Sequence, residues 1–131
     1  MTSNSSSFRS PLGRVRGLGS AKGGTHHWWL QRLTAIALIP LTMWLVASIV
    51  ALSGASYDAF IWWFGQPANA TVMILFVGVA FHHAQLGMQV VIEDYVSRHA
   101  WRVTLNVLVK FACYGLATLT IVSILTIAFG A

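Results

Sequence analysis

In 131 residues the chain carries 56% hydrophobic side chains and only 8% charged ones, against about a quarter charged in an ordinary soluble domain. That composition excludes a soluble catalytic module, and the length leaves room for one domain. The net charge of +5 gathers ahead of the first apolar run, where Arg9, Arg14, Arg16, Lys22 and Arg32 come before any acid. A basic stretch abutting a membrane segment reads as a topology signal and not as a nucleic-acid surface.

Met1 to Gly24 is rich in Ser, Gly and Arg, contains Pro11 and has no hydrophobic period. It is expected to be a flexible basic segment, residues 1–24, ahead of a membrane-anchor domain, residues 25–131. Serine and arginine without acids are also the composition of an organelle transit peptide, whereas a secretory signal is excluded by the length of the apolar run that follows. His26-His27-Trp28-Trp29 stands at the mouth of that run, as in an aromatic belt at the lipid boundary. Arg32 lies a turn further in, where it either snorkels outward or meets an acidic group of a ligand.

Leu33 to Leu52 is uncharged and about 30 Å long as a helix, enough to cross the hydrocarbon core. Pro40 removes one backbone donor and is expected to bend it. After Ser53-Gly54-Ala55-Ser56 come Tyr57, Trp62, Trp63 and Phe64 with Asp58 as the lone charge, a pattern for a short segment in the opposite interface. A second span runs over about 70–92 and a third over about 103–129, joined by a polar connection bearing Arg98, His99 and Arg102. Lys110 is close enough to that interface to snorkel back to it. Cys113, the only cysteine, allows neither a disulfide nor a thiolate cluster within the chain and reads as a small packing residue. The fold expected is all-α, with three transmembrane helices, a cytoplasmic N-terminus (matrix side in an organelle) and a periplasmic C-terminus.

The second span holds the unusual chemistry: His82 and His83 in its middle, Glu93-Asp94-Tyr95 at its end. A charged residue at the centre of a bilayer costs roughly 2.5–3.5 kcal/mol on insertion scales, so ionisable groups there call for partners. With about 100° per residue, Phe76, Val79, Ala80, Gly87, Val90 and Asp94 lie within about 40–60° of His83. Ala80 and Gly87 make that face small, as a flat macrocycle coordinated by the imidazole requires. Haem iron takes histidine as an axial ligand, and two such ligands leave an electron-transfer centre. His82 lies about 100° away in a stripe with Gly78, Gln85, Gln89 and Glu93, expected to form a packing seam in which polar side chains bond across helices. His83 is therefore assigned as the iron ligand and His82 to the seam; the competing reading makes both histidines hydrogen-bonding residues. Asp94 and Tyr95 stand about 16–18 Å further along the axis, at the cytoplasmic boundary. There the phenol suits a hydrogen bond to a carbonyl with Asp94 holding a proton, or else serves as an interfacial anchor.

The run His83-Ala84-x-x-Gly87-Met88-Gln89-x-Val91-x-x-Asp94-Tyr95-Val96, with Trp29-Leu30-Gln31-Arg32-Leu33-Thr34-Ala35-Ile36 before it, resembles the family of hydrophobic membrane anchors of succinate dehydrogenase (complex II). The resemblance covers Thr25 to the C-terminus. It implies an assembly of four different proteins: a flavoprotein subunit, an iron–sulfur subunit and two anchors in the lipid bilayer, of which this chain would be one. It implies haem b ligated by His83 and by a residue of the companion anchor, Arg32 near the haem propionates, and Tyr95 with Asp94 at a ubiquinone site. The implied location is a bacterial inner membrane, with the mitochondrial inner membrane as the alternative. The extra His82 is a departure that leaves two imidazoles to choose between. A quinol:fumarate reductase anchor is the near alternative, and a non-redox small membrane protein such as a holin the distant one.

The charge distribution gives a direct expectation. A reporter fused after Ala131 reads as periplasmic and one placed near Ser97 as cytoplasmic; a cytoplasmic C-terminus overturns the three-span orientation.

Overall fold

A computed structural model describes Leu12 and residues 22–130. The segment expected to be flexible, 1–24, therefore lies outside the described residues apart from Leu12 and residues 22–24. Four helices follow in order: α1, Lys22–Ala51; α2, Tyr57–Gly65; α3, Pro67–Tyr95; and α4, His99–Phe129. No strand occurs among the described residues.

Helices α1, α3 and α4 are long and apolar enough to cross a membrane. At 1.5 Å per residue each is about 43–47 Å long, well beyond the roughly 30 Å of hydrocarbon. The expected spans are thus the central parts of longer helices whose ends reach the headgroup region. Those ends carry the polar and aromatic residues: His26 to Trp29 on α1, Glu93 to Tyr95 on α3. In a solvent without hydrogen-bonding capacity, a helix is how the chain pairs its own backbone groups. The hydroxyls do likewise. Thr34, Ser48, Thr104, Thr118, Thr120, Ser123 and Thr126 each donate to the carbonyl four residues back. Pro40 lies inside α1, which continues through it.

The interfacial segment expected after the first span is the short helix α2. Ser56 caps it, its hydroxyl accepting from the Ala59 N–H at 3.3 Å, and Asp58 sits in its first turn, where a negative charge complements the helix dipole. None of its residues is buried, and Tyr57 and Trp62 are largely exposed. Trp63 stacks on Trp44 of α1 with ring centroids 5.6 Å apart, which fixes α2 against the end of the first span. The turn into α2 passes through Gly54 at φ +80°, a conformation that costs glycine nothing and other residues a good deal. At the opposite end, Arg102 reaches back from α4 so that Nε and Nη2 donate to the Val96 carbonyl at 3.1 and 3.0 Å. The basic connection thereby pins the end of α3.

Helix α3 lies in the middle. It packs on α1 along one side and on α4 along the other, while α1 and α4 do not meet. Ala70, Val77, Ala117 and Ile124 form the buried cluster between α3 and α4, with Phe64, Phe76, Phe81 and Ile121 against it. Ala70 and Ala117 let the two backbones approach, and Val77 and Ile124 add van der Waals packing where lipid offers no hydrophobic drive to association. The outer faces stay apolar and open, with Ile36, Ile39, Met43 and Val50 on α1 and Phe111, Leu119 and Val122 on α4. In water that surface would be a liability; in a bilayer it is the face toward lipid or other chains. Cys113 is partly buried and carries a free thiol.

Candidate functional site

The two histidines of α3 reach opposite neighbours. Because successive helical residues diverge by about 100°, His83 turns toward α1 and His82 toward α4. The Nδ1 of His83 lies 2.9 Å from the hydroxyl oxygen of Thr34. The Nδ1 of His82 lies 3.3 Å from the Tyr114 hydroxyl, with the rings 6.4 Å apart between centroids. Each imidazole ties the central helix to a different span through one ring nitrogen. The Nε2 of His83 takes no hydrogen-bond partner among the described residues and is not among the buried unpaired atoms. It presents an accessible nitrogen on a partly buried ring.

On α1, His27, Gln31 and Thr34 fall at i, i+4 and i+7, one face of a helix. Thr34 is buried at 9% exposure and Gln31 comes against α3, since a Cβ placed on Gly87 would stand 3.6 Å from Gln31 Nε2. The small face around His83 is expected to form a groove. At Gly87 that space is instead taken by α1, because a polar stripe on one helix finds the polar, small-residue face of the other. Gln31 Oε1 and His27 Nε2 are buried without a hydrogen-bond partner among the described residues. Polar atoms left in that state cost free energy unless a ligand, water or another chain completes them.

The stripe of His82, Gly78, Gln85, Gln89 and Glu93 is corrected in part. Its amides bond along their own helix and not across to a neighbour: Gln85 Nε2 donates to Gln89 Oε1 at 3.3 Å, and Gln89 Nε2 to Glu93 Oε1 at 2.8 Å. The i, i+4 spacing puts these side-chain ends within reach of one another, so the ladder leads from Gln85, 3% exposed, out to the helix end. Gly78 faces open space, with nothing within 4 Å of a Cβ there. Of the expected seam, His82 alone makes a cross-helix bond.

The remaining site residues lie apart from His83. Asp94 and Tyr95 are exposed at the end of α3, Tyr95 by 83%. Arg32 is exposed, its guanidinium carbon 5.5 Å from the centre of the Trp28 ring, a cation–π contact one turn away on the same flank. Among the described residues no hydrogen bond or ion pair joins Arg32 to His83, Asp94 or Tyr95. No group of three or more His, Cys, Asp or Glu is positioned to hold a metal ion among them either. Thr34 and Tyr114, the partners of the two histidines, are not singled out by the sequence reading. The polar stripe of α1 is a readable signal for the first, whereas Tyr114 carries none.

Comparison with known proteins identifies the family. Residues 6–123 match the family described as succinate dehydrogenase/fumarate reductase transmembrane subunit. The succinate dehydrogenase hydrophobic membrane anchor subunit of Rickettsia bellii is 39% identical over 122 residues, 93% of this chain and 94% of that protein. The protein of the same name from Rickettsia typhi is 34% identical over 122 residues, with the same coverage of both chains. That from Paracoccus denitrificans is 34% identical over 88 residues, 67% of this chain and 68% of its own length.

Proposed function

The chain belongs to the succinate dehydrogenase/fumarate reductase transmembrane subunit family, and on that premise we propose that it anchors a succinate:ubiquinone oxidoreductase, ligating haem b jointly with a companion anchor and contributing to the ubiquinone reduction site. It is a multi-pass protein of a bacterial inner membrane. Family membership across most of the chain removes the holin reading. The relatives named as succinate dehydrogenase anchors favour succinate oxidation over the fumarate reductase direction.

The observation that carries the haem reading is the His83 ring, held at Nδ1 by Thr34 and open at Nε2. A metal-ligating histidine characteristically engages its other nitrogen in a hydrogen bond that fixes the ring. One imidazole from this chain and one ligand from the companion anchor need no larger donor cluster here. The donor chemistry fits: a partly buried imidazole with one ring nitrogen open, and buried polar atoms of His27 and Gln31 unpaired among the described residues on the facing helix. Bound between the anchors, haem b would be held by His83 of this chain and a residue of the companion anchor and would supply a one-electron centre. Arg32, on the outer flank of α1 near its polar end, has the charge to meet the propionates. At the end of α3 the exposed Tyr95 hydroxyl is suited to donate to a quinone carbonyl, and Asp94 beside it to hand on one of the two protons that accompany two electrons. The iron–sulfur and flavoprotein subunits deliver those electrons from succinate on this side of the membrane.

Two expectations test these assignments. In the assembled complex, His83→Ala removes or severely perturbs the low-spin b-type absorption, whereas His82→Ala keeps the spectrum and loosens the α3–α4 contact, by about 0.6 kcal/mol on the average for intramembrane hydrogen bonds. Loss of the signal in His82→Ala alone would reverse the two roles.

Tyr95→Phe deletes one hydroxyl and keeps the ring. Losing a neutral hydrogen bond costs about 0.5–1.5 kcal/mol, which corresponds to a roughly two- to twelvefold rise in the quinone KM. Haem content and succinate-driven reduction of a dye that accepts electrons upstream stay unchanged. Unaltered quinone kinetics at subsaturating quinone make Tyr95 an interfacial anchor and move the site elsewhere.

A further inference from the structure

We propose that Thr34 is a positioning residue that holds His83 in its Nδ1–H tautomer and so aims the Nε2 lone pair at the iron; this rests on the haem reading above. A threonine hydroxyl has a single hydrogen and two lone pairs. In Thr34 that oxygen lies 2.7 Å from the Leu30 carbonyl and 3.1 Å from the Gln31 carbonyl. Both carbonyls can only accept, so the hydroxyl hydrogen is spent on them. What the oxygen offers His83 at 2.9 Å is a lone pair, and Nδ1 must be the donor. In a neutral imidazole with hydrogen on Nδ1, the free lone pair is on Nε2, the nitrogen that takes no partner among the described residues.

The arrangement is rigid for local reasons. Thr34 is buried, and its bond back to the preceding turn restrains a β-branched side chain that already has few rotamers. The opposite tautomer would free the hydroxyl hydrogen from its short contact with Leu30. It would also leave an N–H at Nε2 with no acceptor among the described residues. Such a hydrogen bond also makes the ligand a stronger donor to the metal. Thr34 touches neither iron nor substrate; it acts through His83.

The test uses the whole complex, purified with its flavin, from membranes carrying Thr34→Val, Thr34→Ser or the unaltered chain. Valine keeps the shape without the hydroxyl; serine restores the hydroxyl. Thr34→Val is expected to assemble with normal flavin and to hold haem roughly tenfold to a hundredfold less tightly. Its midpoint potential moves to more positive values and its low-spin electron paramagnetic resonance signal changes. Thr34→Ser should return all three toward the unaltered complex. Unchanged haem affinity, potential and spectrum in the valine variant overturn the proposal. If valine does not accumulate, Thr34→Ala is read in the same way; loss of the chain from the membrane in both hydroxyl-free variants makes Thr34 a folding residue and also overturns it. Absence of b-type haem from the unaltered complex is a separate result, which refutes the haem reading itself.

Discussion

Within a bilayer, a polar side chain has no water to fall back on, and the ties from the central helix to both of its neighbouring spans follow from finding it a partner. The backbone is satisfied by running as helix; the hydroxyls are satisfied by bonding back along the same helix. The two histidines of α3 cannot be served that way. One meets Thr34 on α1 and the other Tyr114 on α4, at the angular separation that consecutive residues impose. The central position of α3 is thus written into a pair of adjacent imidazoles. The apolar cluster of Ala70, Val77, Ala117 and Ile124 between α3 and α4 adds van der Waals contact to the arrangement.

Much of this is legible in the sequence because hydropathy in membranes is a strong signal. Three spans, the aromatic segment after Ser56 and the basic connection before α4 all follow from composition and charge, and the structure has helices in each expected place. The two faces of α3 are also separable by helical phase. The identity of each face's neighbour is not, because phase says how far apart two residues point and nothing about which helix lies there. Gly87 shows the limit. Beside His83 it suggests room for a macrocycle, yet the space at that residue serves the approach of Gln31 on α1. The amide row shows another: Gln85, Gln89 and Glu93 at i, i+4 spacing are bound to compete for one another, and the ladder along α3 is the outcome.

What distinguishes the two imidazoles is thus less their depth than the chemistry of their partners. Among the described residues the Tyr114 hydroxyl bonds only to His82, so its hydrogen is free for that bond, and this suits a structural tie. Thr34 offers His83 an oxygen whose hydrogen is directed at its own helix. On the haem reading proposed above, that difference suits His83 to the ligand role. Gln31 and Thr34 of the α1 stripe lie against this face of α3, at Gly87 and at His83 itself.

The most direct measurement is a high-resolution map of the purified complex with its partner subunits in place. The expected map has a flat macrocycle between the anchors with its iron bonded to His83 Nε2, while Nδ1 of the same ring stays within hydrogen-bond distance of Thr34. An iron bonded to His82, or a macrocycle without any ligand from this chain, contradicts the assignment of His83.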